Sequence, residues 1–146
     1  MIAIGADHGG FALKKELMAH LDQIGVAYKD FGCYDENSVD YPDVARAVGT
    51  AVAGGAYEKG VLICGTGIGI SMAANKIKGV RAALCGDYFS AKYTRLHNDA
   101  NIICFGGRVI GPGLACELLD VFLNTGFEGG RHQRRVDKLM SLEEQQ

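Results

Sequence analysis

The chain has 146 residues, the size of one compact domain whose fold buries about 70 % of the surface its unfolded chain exposes. Apolar residues make up 48 % and charged residues 22 %, and 15 basic against 17 acidic residues leave a formal charge of -2. That balance suits an ordinary globular protein and excludes a general nucleic-acid or membrane-surface binder, which carries a basic excess or stripe.

Glycine is the departure: 21 residues, about twice the usual share of about 7 %. With two prolines and no repeat period, these glycines point to tight turns and to backbone that approaches a ligand closely. The opening Met1-Ile2-Ala3-Ile4-Gly5-Ala6-Asp7-His8 has no basic leader, so no signal peptide is expected. The longest uncharged run, between Lys59 and Lys76, is too short and too rich in glycine for a membrane span. Five scattered cysteines (Cys33, Cys64, Cys85, Cys104, Cys116) without a Cys-x-x-Cys pair suit neither zinc nor a disulfide framework, which places the protein in a reducing cytoplasm.

Hydrophobic periodicity alternates between strand and helix. Ile2 to Gly5 is a short apolar strand. Phe11 to Ile24 is helical, with Leu13, Leu17, Leu21 and Ile24 on one face and Lys14, Lys15, Glu16 and Asp22 elsewhere, and His20 on the surface. Val26 to Phe31 reads as a second strand. Asp40 is placed to cap a helix that has Pro42 in its first turn and Val44, Val48 and Val52 as its stripe. Gly60 to Cys64 is an all-apolar strand, followed by a glycine loop and a helix to about Lys76. Val80 to Cys85 and Asn101 to Phe105 are two further strands, separated by a helix from Tyr88 to about Leu96. Helices from Pro112 to about Thr125 and from Gly130 onward complete the chain, the last carrying Val136, Leu139 and Met140 opposite Arg131, Arg134 and Arg135. Ser141 to Gln146 reads as a frayed helix end.

Apolar strands alternating with helices predict a parallel sheet covered on both faces, in one doubly wound domain over residues 1–146. In such sheets ligands bind beyond the carboxyl ends of the strands, where the winding reverses; in a flavodoxin-like strand order that point lies between strands one and three. The segments leaving those strands are Gly5-Ala6-Asp7-His8-Gly9-Gly10 and Cys64-Gly65-Thr66-Gly67-Ile68-Gly69, the two most distinctive stretches of the chain.

The glycines at 65, 67 and 69 let backbone N–H groups converge on an anion at the start of a helix, or else simply make a tight turn. Ile70 stands where a dinucleotide fingerprint needs its third glycine, and no Gly-Lys-Ser or Gly-Lys-Thr follows as in a P-loop. Asp87 mimics a ribose-binding acid, which keeps a nucleotide-binding module open. Cys64 feels the helix start, which favours its thiolate and makes it a candidate base or nucleophile; the alternative is a small apolar side chain ending a buried strand. Asp7 and His8 pair an acid with an imidazole, unless Asp7 caps a helix. His97-Asn98-Asp99, expected just after the fourth helix, is a second polar cluster or a solvated turn. Arg131 and Arg135 share a helix face, and their guanidinium forks suit a phosphate dianion; a solvated basic face is the plainer alternative, and Arg108 is equally open. A thiolate, an amide-lined anion hole, two histidines and arginines, with no metal site in the pattern, fit proton transfer next to a carbonyl through an enediolate.

The segments Gly5–Gly10, Cys64–Ser71, Ala74-Asn75-Lys76, His97-Asn98-Asp99 and Gly129-Gly130-Arg131-His132-Gln133-Arg134-Arg135 together resemble the ribose-5-phosphate isomerase B family, which also holds the lactose-operon galactose-6-phosphate isomerase subunits. The resemblance covers essentially the whole chain. It implies a Rossmann-like α/β/α sandwich with a five-stranded parallel sheet, no cofactor, and a homodimer or homotetramer whose sites at the subunit interface draw residues from both chains. It implies interconversion of ribose 5-phosphate and ribulose 5-phosphate, a step of the pentose phosphate pathway, with no nucleic acid and no membrane as partner. Carried over residue by residue, it makes Cys64 the base between C1 and C2, and Gly65, Gly67, Ile68 and Gly69 the amide hole, with the Thr66 hydroxyl assisting. His97 becomes the ring-opening acid/base, Asp7 and His8 sugar or phosphate contacts, and Asn98, Arg108, Arg131 and Arg135 substrate ligands. A branch of the family uses a glutamate directly after the last loop glycine; here that position is Ile70, which leaves Cys64 as the base. Two rivals follow: a 6-phosphorylated hexose (allose or galactose 6-phosphate) as substrate, and a non-catalytic nucleotide- or sugar-phosphate-binding module.

Overall fold

The computed structural model describes residues 1–145. Five strands, β1 (Ile2–Ala6), β2 (Tyr28–Asp30), β3 (Lys59–Cys64), β4 (Ala82–Leu84) and β5 (Ile102–Gly106), pair in parallel in the order β2-β1-β3-β5-β4. Helices α1 (Phe11–Ile24), α2 (Tyr41–Ala53), α3 (Ile68–Ala74), α4 (Tyr88–Asn98), α5 (Pro112–Asn124) and α6 (Arg131–Ser141) connect and cover the sheet. Among the described residues no helix is long and apolar enough to cross a membrane.

Side chains alternate across each strand, and the sheet therefore feeds two separate cores. Ile4, Ala6, Ile63, Ile103 and Phe105 face α1, α4 and α5, where Leu17, Leu21, Leu118 and Phe122 complete one apolar cluster. Ala3, Leu62, Cys64, Ile102 and Cys104 face α2 and α3 and meet Val44, Val48, Val52 and Ile70. Both faces of β1, β3 and β5 are buried, which is why those segments read as unbroken apolar runs.

The strand order departs from the flavodoxin-like expectation: β5 lies beside β3, and β4 is the edge. Burial explains the exchange. β5 is buried along its whole length, while the three residues of β4 are half exposed and suit an edge. The Asn75 side chain covers that edge, donating to the Ala82 carbonyl at 2.9 Å and accepting from the Ala82 N–H at 2.8 Å. Strands two and four are shorter than their apolar runs suggest, spanning Tyr28–Asp30 and Ala82–Leu84.

Further expectations on α1 are corrected. Ile24 ends the α1 stripe exposed, whereas Lys14, assigned to the polar face, is fully buried. Its ammonium donates to Asp30 Oδ1 at 2.6 Å and to the Cys33 carbonyl, so β2 and the loop after it supply the partners that make its burial tolerable. His20 is no free surface residue: Nε2 lies 2.7 Å from Asp120 Oδ1 and ties α1 to α5. Asp40 stands at the N-cap of α2 as expected, with Pro42 in the first turn, although its side chain makes no cap bond. Leu142–Gln145 forms a 3-10 turn after α6; Gln146 lies outside the described residues.

Candidate active site

β1, β3 and β5 end together, and the three loops that leave them pack backbone against backbone. The exchanged strand order brings the third loop in: Gly107 N donates to the Cys64 carbonyl at 2.8 Å and Arg108 N to the Gly65 carbonyl at 3.0 Å. A Cβ on Gly9 would stand 3.0 Å from the Gly65 nitrogen, so the first loop approaches the second at a distance few side chains tolerate. Arg108 extends past Gly65, with its Nη1 3.3 Å from where a Cβ on that residue would be.

Cys64 ends β3 with 5 % exposure, and its Sγ accepts the Gly67 N–H at 3.1 Å. Gly67, at φ +78°, folds the amide back toward the sulfur and starts α3. Burial pushes Cys33, Cys85 and Cys116 up, Cys85 to about 11, and the fully enclosed Cys104 higher still. Thr66 is exposed, and its Oγ1 accepts the Ile68 N–H at 3.1 Å, which leaves the hydroxyl proton free to donate outward.

Asp7 is buried at 7 % exposure and does not cap α1. Its Oδ1 accepts the N–H groups of Gly9 and Gly10 at 2.9 and 3.2 Å and so braces its own loop. His8 Nδ1 accepts from Val39 N at 3.3 Å, which leaves Nε2 as the protonated nitrogen, turned away from that bond. Tyr41, at the start of α2, lies against the amide loop: a Cβ on Gly69 would meet its Cζ at 2.7 Å. Composition and spacing carried no signal for Tyr41.

The remaining candidates lie elsewhere. His97 and Asn98 belong to the last turn of α4, not to the turn after it. That helix runs back to the start of β5, where Gly60 of β3 donates to the Asn101 carbonyl. Cys64 pairs instead with Gly106, at the opposite end of both strands. From Gly60 to Cys64 is roughly 13 Å along β3, so His97 and Cys64 of one chain lie at opposite ends of the sheet.

Around His97 a second cluster forms. Its ring stacks on His132 at 4.0 Å between centroids and 10° from parallel, and the edge of Tyr93 meets it at 5.0 Å. Glu128 Oε2 lies 3.3 Å from His97 Nε2 and 3.9 Å from His132 Nε2. His97, Asn98, His132 and Arg135 line a cavity of about 200 Å³; Arg131 and Arg135 are both exposed on α6. Burial, with His97 and Arg131 nearby, pushes the His132 imidazole below its ordinary value. The donor atoms of His97, Glu128 and His132 lie within 4.8 Å of one another, the spacing a cation would need. Parallel rings 4 Å apart argue against one: an imidazole lone pair lies in its ring plane, and no point about 2 Å from both nitrogens lies in both planes.

Asp87, the feature that kept a nucleotide module open, is engaged as the N-cap of α4. It accepts from Ser90 N at 2.7 Å and from Ser90 Oγ at 2.8 Å.

A thiol held against a backbone amide at the winding reversal of a doubly wound sheet marks the candidate site of an α/β enzyme. A family described as Ribose/Galactose Isomerase matches residues 2–139, and the chain belongs to that family. It is 49 % identical over 143 residues to ribose-5-phosphate isomerase B of Escherichia coli (strain K12), covering 98 % of this chain and 96 % of that protein. It is 43 % identical over 148 residues to D-erythrulose-4-phosphate isomerase of Pectobacterium atrosepticum, covering 99 % of this chain and 96 % of that one. Among solved structures, Clostridium thermocellum ribose-5-phosphate isomerase B superposes with a TM-score of 0.97 at 47 % identity, covering 99 % of this chain and 97 % of that one.

Proposed function

We propose that the protein interconverts ribose 5-phosphate and ribulose 5-phosphate without a cofactor, in a site that a second copy of the chain completes. The observation that carries the chemistry is the Cys64 sulfur, at the carboxyl end of β3 and 3.1 Å from the Gly67 amide. The family, and relatives named for this reaction at 44–49 % identity, support the substrate.

Ribose 5-phosphate is mostly a closed furanose, so its aldehyde must be freed first. His97 takes the proton of the anomeric hydroxyl; the bond from C1 to the ring oxygen breaks, and the His97 imidazolium returns that proton to the ring oxygen. Cys64, as thiolate, then removes the C2 proton. The electron pair moves into C1–C2 and the negative charge onto O1, where N–H groups of the 65–69 loop receive it. A well-aimed donor of this kind lowers such a barrier by about 3–4 kcal/mol. Thr66 passes a proton between O2 and O1, and Cys64 returns its proton to C1 to give the ketose. Asp7 and His8 contact the sugar or its phosphate; Asn98, Arg108, Arg131 and Arg135 bind substrate, the arginines mainly at the phosphate.

The positions of Cys64 and His97 support a second copy in the site. A pentose phosphate cannot touch Cys64 at one end of the sheet and His97 at the other within one chain. A two-fold partner that lays its α4–α6 end over the Cys64 loops unites the two half-sites. Residues 1–146 act as one domain in this reading, and five unpaired cysteines support a reducing, cytoplasmic setting.

Turnover in heavy water tests the chemistry. Deuterium gained at C2 of recovered ribose 5-phosphate is expected for the native protein and lost in Cys64→Ala; exchange at near-native rate in that variant removes Cys64 as base. The galactose members in the family's description favour one alternative, a 6-phosphorylated hexose. Turnover of allose and galactose 6-phosphates beside ribose 5-phosphate decides between them.

A further inference from the structure

Resting on the ring-opening role of His97, we propose that Glu128 is the positioning residue of that histidine: a carboxylate that orients the imidazole and stabilises the cation formed when the ring takes the anomeric proton.

Three independent contacts converge on His97. The carboxylate of Glu128 lies at ion-pair distance, 3.3 Å from Nε2; a proton held on Nε2 toward that charge would leave Nδ1 with the lone pair that meets the sugar. His132 lies flat against the ring and Tyr93 meets it edge-on, so rotation of the imidazole is blocked on two sides. Glu128 is itself anchored: its backbone N–H donates to the Leu96 carbonyl at 3.0 Å, in the last turn of the helix that carries His97. Gly129 and Gly130, both at positive φ, then turn the chain directly into α6.

The two histidines divide the work through this one carboxylate. His132 is almost fully enclosed, 3.9 Å from the same oxygen, and its surroundings favour the neutral form. Arg131 and Arg135 on its own helix also oppose its protonation, while Glu128 favours it. A neutral platform does not repel the imidazolium that His97 becomes in mid-reaction. Glu128 then faces one cation instead of two, and its full charge is available to the ring that moves the proton.

Ribulose 5-phosphate provides the test. Its C5 oxygen carries the phosphate, so the ketose cannot close a furanose ring, and loss of its C1 hydrogen to heavy water needs the Cys64 step alone. Conversion of ribose 5-phosphate needs ring opening as well. In Glu128→Gln, conversion of ribose 5-phosphate is expected to fall about 10- to 100-fold, part of the ~10²–10⁴ that an acid–base group contributes. Hydrogen exchange from ribulose 5-phosphate stays within about twofold of native under the same accounting, which also shows that the variant folds. Glu128→Asp should recover part of the loss. ¹⁵N spectra of His97 should show a single ring tautomer in the native protein and a mixture in Glu128→Gln. Equal losses in both reactions, or native rates in both while His97→Asn shows the split, overturn the role of Glu128. If His97→Asn itself slows both reactions equally, the ring-opening assignment fails instead.

Discussion

Gly67→Ala is the substitution whose cost can be worked most fully from the structure. Gly67 sits at φ +78°, where an L side chain costs roughly 1–2 kcal/mol. A Cβ there would stand 2.5 Å from Leu84 Cδ1, and 2.8 and 2.9 Å from the Phe105 carbonyl carbon and oxygen. The leucine can yield; the β5 backbone, paired on both sides, cannot, and overpacking of this kind adds about 1–3 kcal/mol. The sum is about 2–5 kcal/mol, a large part of the ~5–15 kcal/mol that holds a domain folded. With ~2.1 cal/mol/K of unfolding entropy per residue over 146 residues, the melting temperature should fall by about 7–16 °C. The same shift moves the Gly67 N–H off the Cys64 sulfur, so turnover should drop even below the melting range. Gly113→Ala is the matched control: no atom lies within 4 Å of its Cβ, its φ is not positive, and it occupies the first turn of α5. It should stabilise by about 0.4–1 kcal/mol. Calorimetry on the two variants decides. A Gly67→Ala protein that melts within a degree or two of native would show that the loop is not held as described.

Lys14→Met should destabilise by about 3 kcal/mol, the low end for breaking a buried pair because Asp30 keeps some contact with water. Adding Asp30→Asn should restore part of it; urea unfolding of both proteins gives the answer, and a neutral single variant would contradict the pairing. His132 carries a pH dependence whose sign is fixed. Its native value lies below the ordinary 6.5, so the unfolded chain binds a proton that the native protein resists. Its share of stability is complete above the unfolded value and is lost as pH falls through the lowered native one. Replacing it by glutamine should flatten the fall of the unfolding midpoint on acidification, and an unchanged slope would remove His132 as the cause. Thiol labelling of the native protein near neutral pH should spare Cys85 and Cys104, which burial holds as protonated thiols; rapid modification of either would contradict their enclosure.

Where one chain segment contains its own explanation, the sequence was legible. The unbroken apolar runs Ile2–Gly5 and Gly60–Cys64 announce strands buried on both faces, and the loops that leave them meet as expected at the winding reversal. Lys14 was misplaced because amphipathic reasoning sees its charge but not Asp30 and the Cys33 carbonyl, which arrive from later in the chain. The place of β5 was missed because strand order depends on which strand tolerates an edge, a property of burial and not of periodicity. His97 reads as a turn residue because nothing local distinguishes the last turn of α4 from a polar turn. Glu128 left one faint trace, its four-residue spacing to His132, whose meaning appears only when His97 stacks on His132 beside the same carboxylate.

Mixing two inactive variants tests most directly whether catalysis is shared between copies. Cys64→Ala and His97→Asn each lack one half-site. In a mixed dimer one site combines both defects, while the other pairs an intact Cys64 with the partner's intact His97. Random reassociation makes half the dimers mixed, so about one quarter of native turnover should return for a two-fold interface. Activity no greater than the two variants give separately would mean that one chain supplies both residues, and the divided site would be wrong.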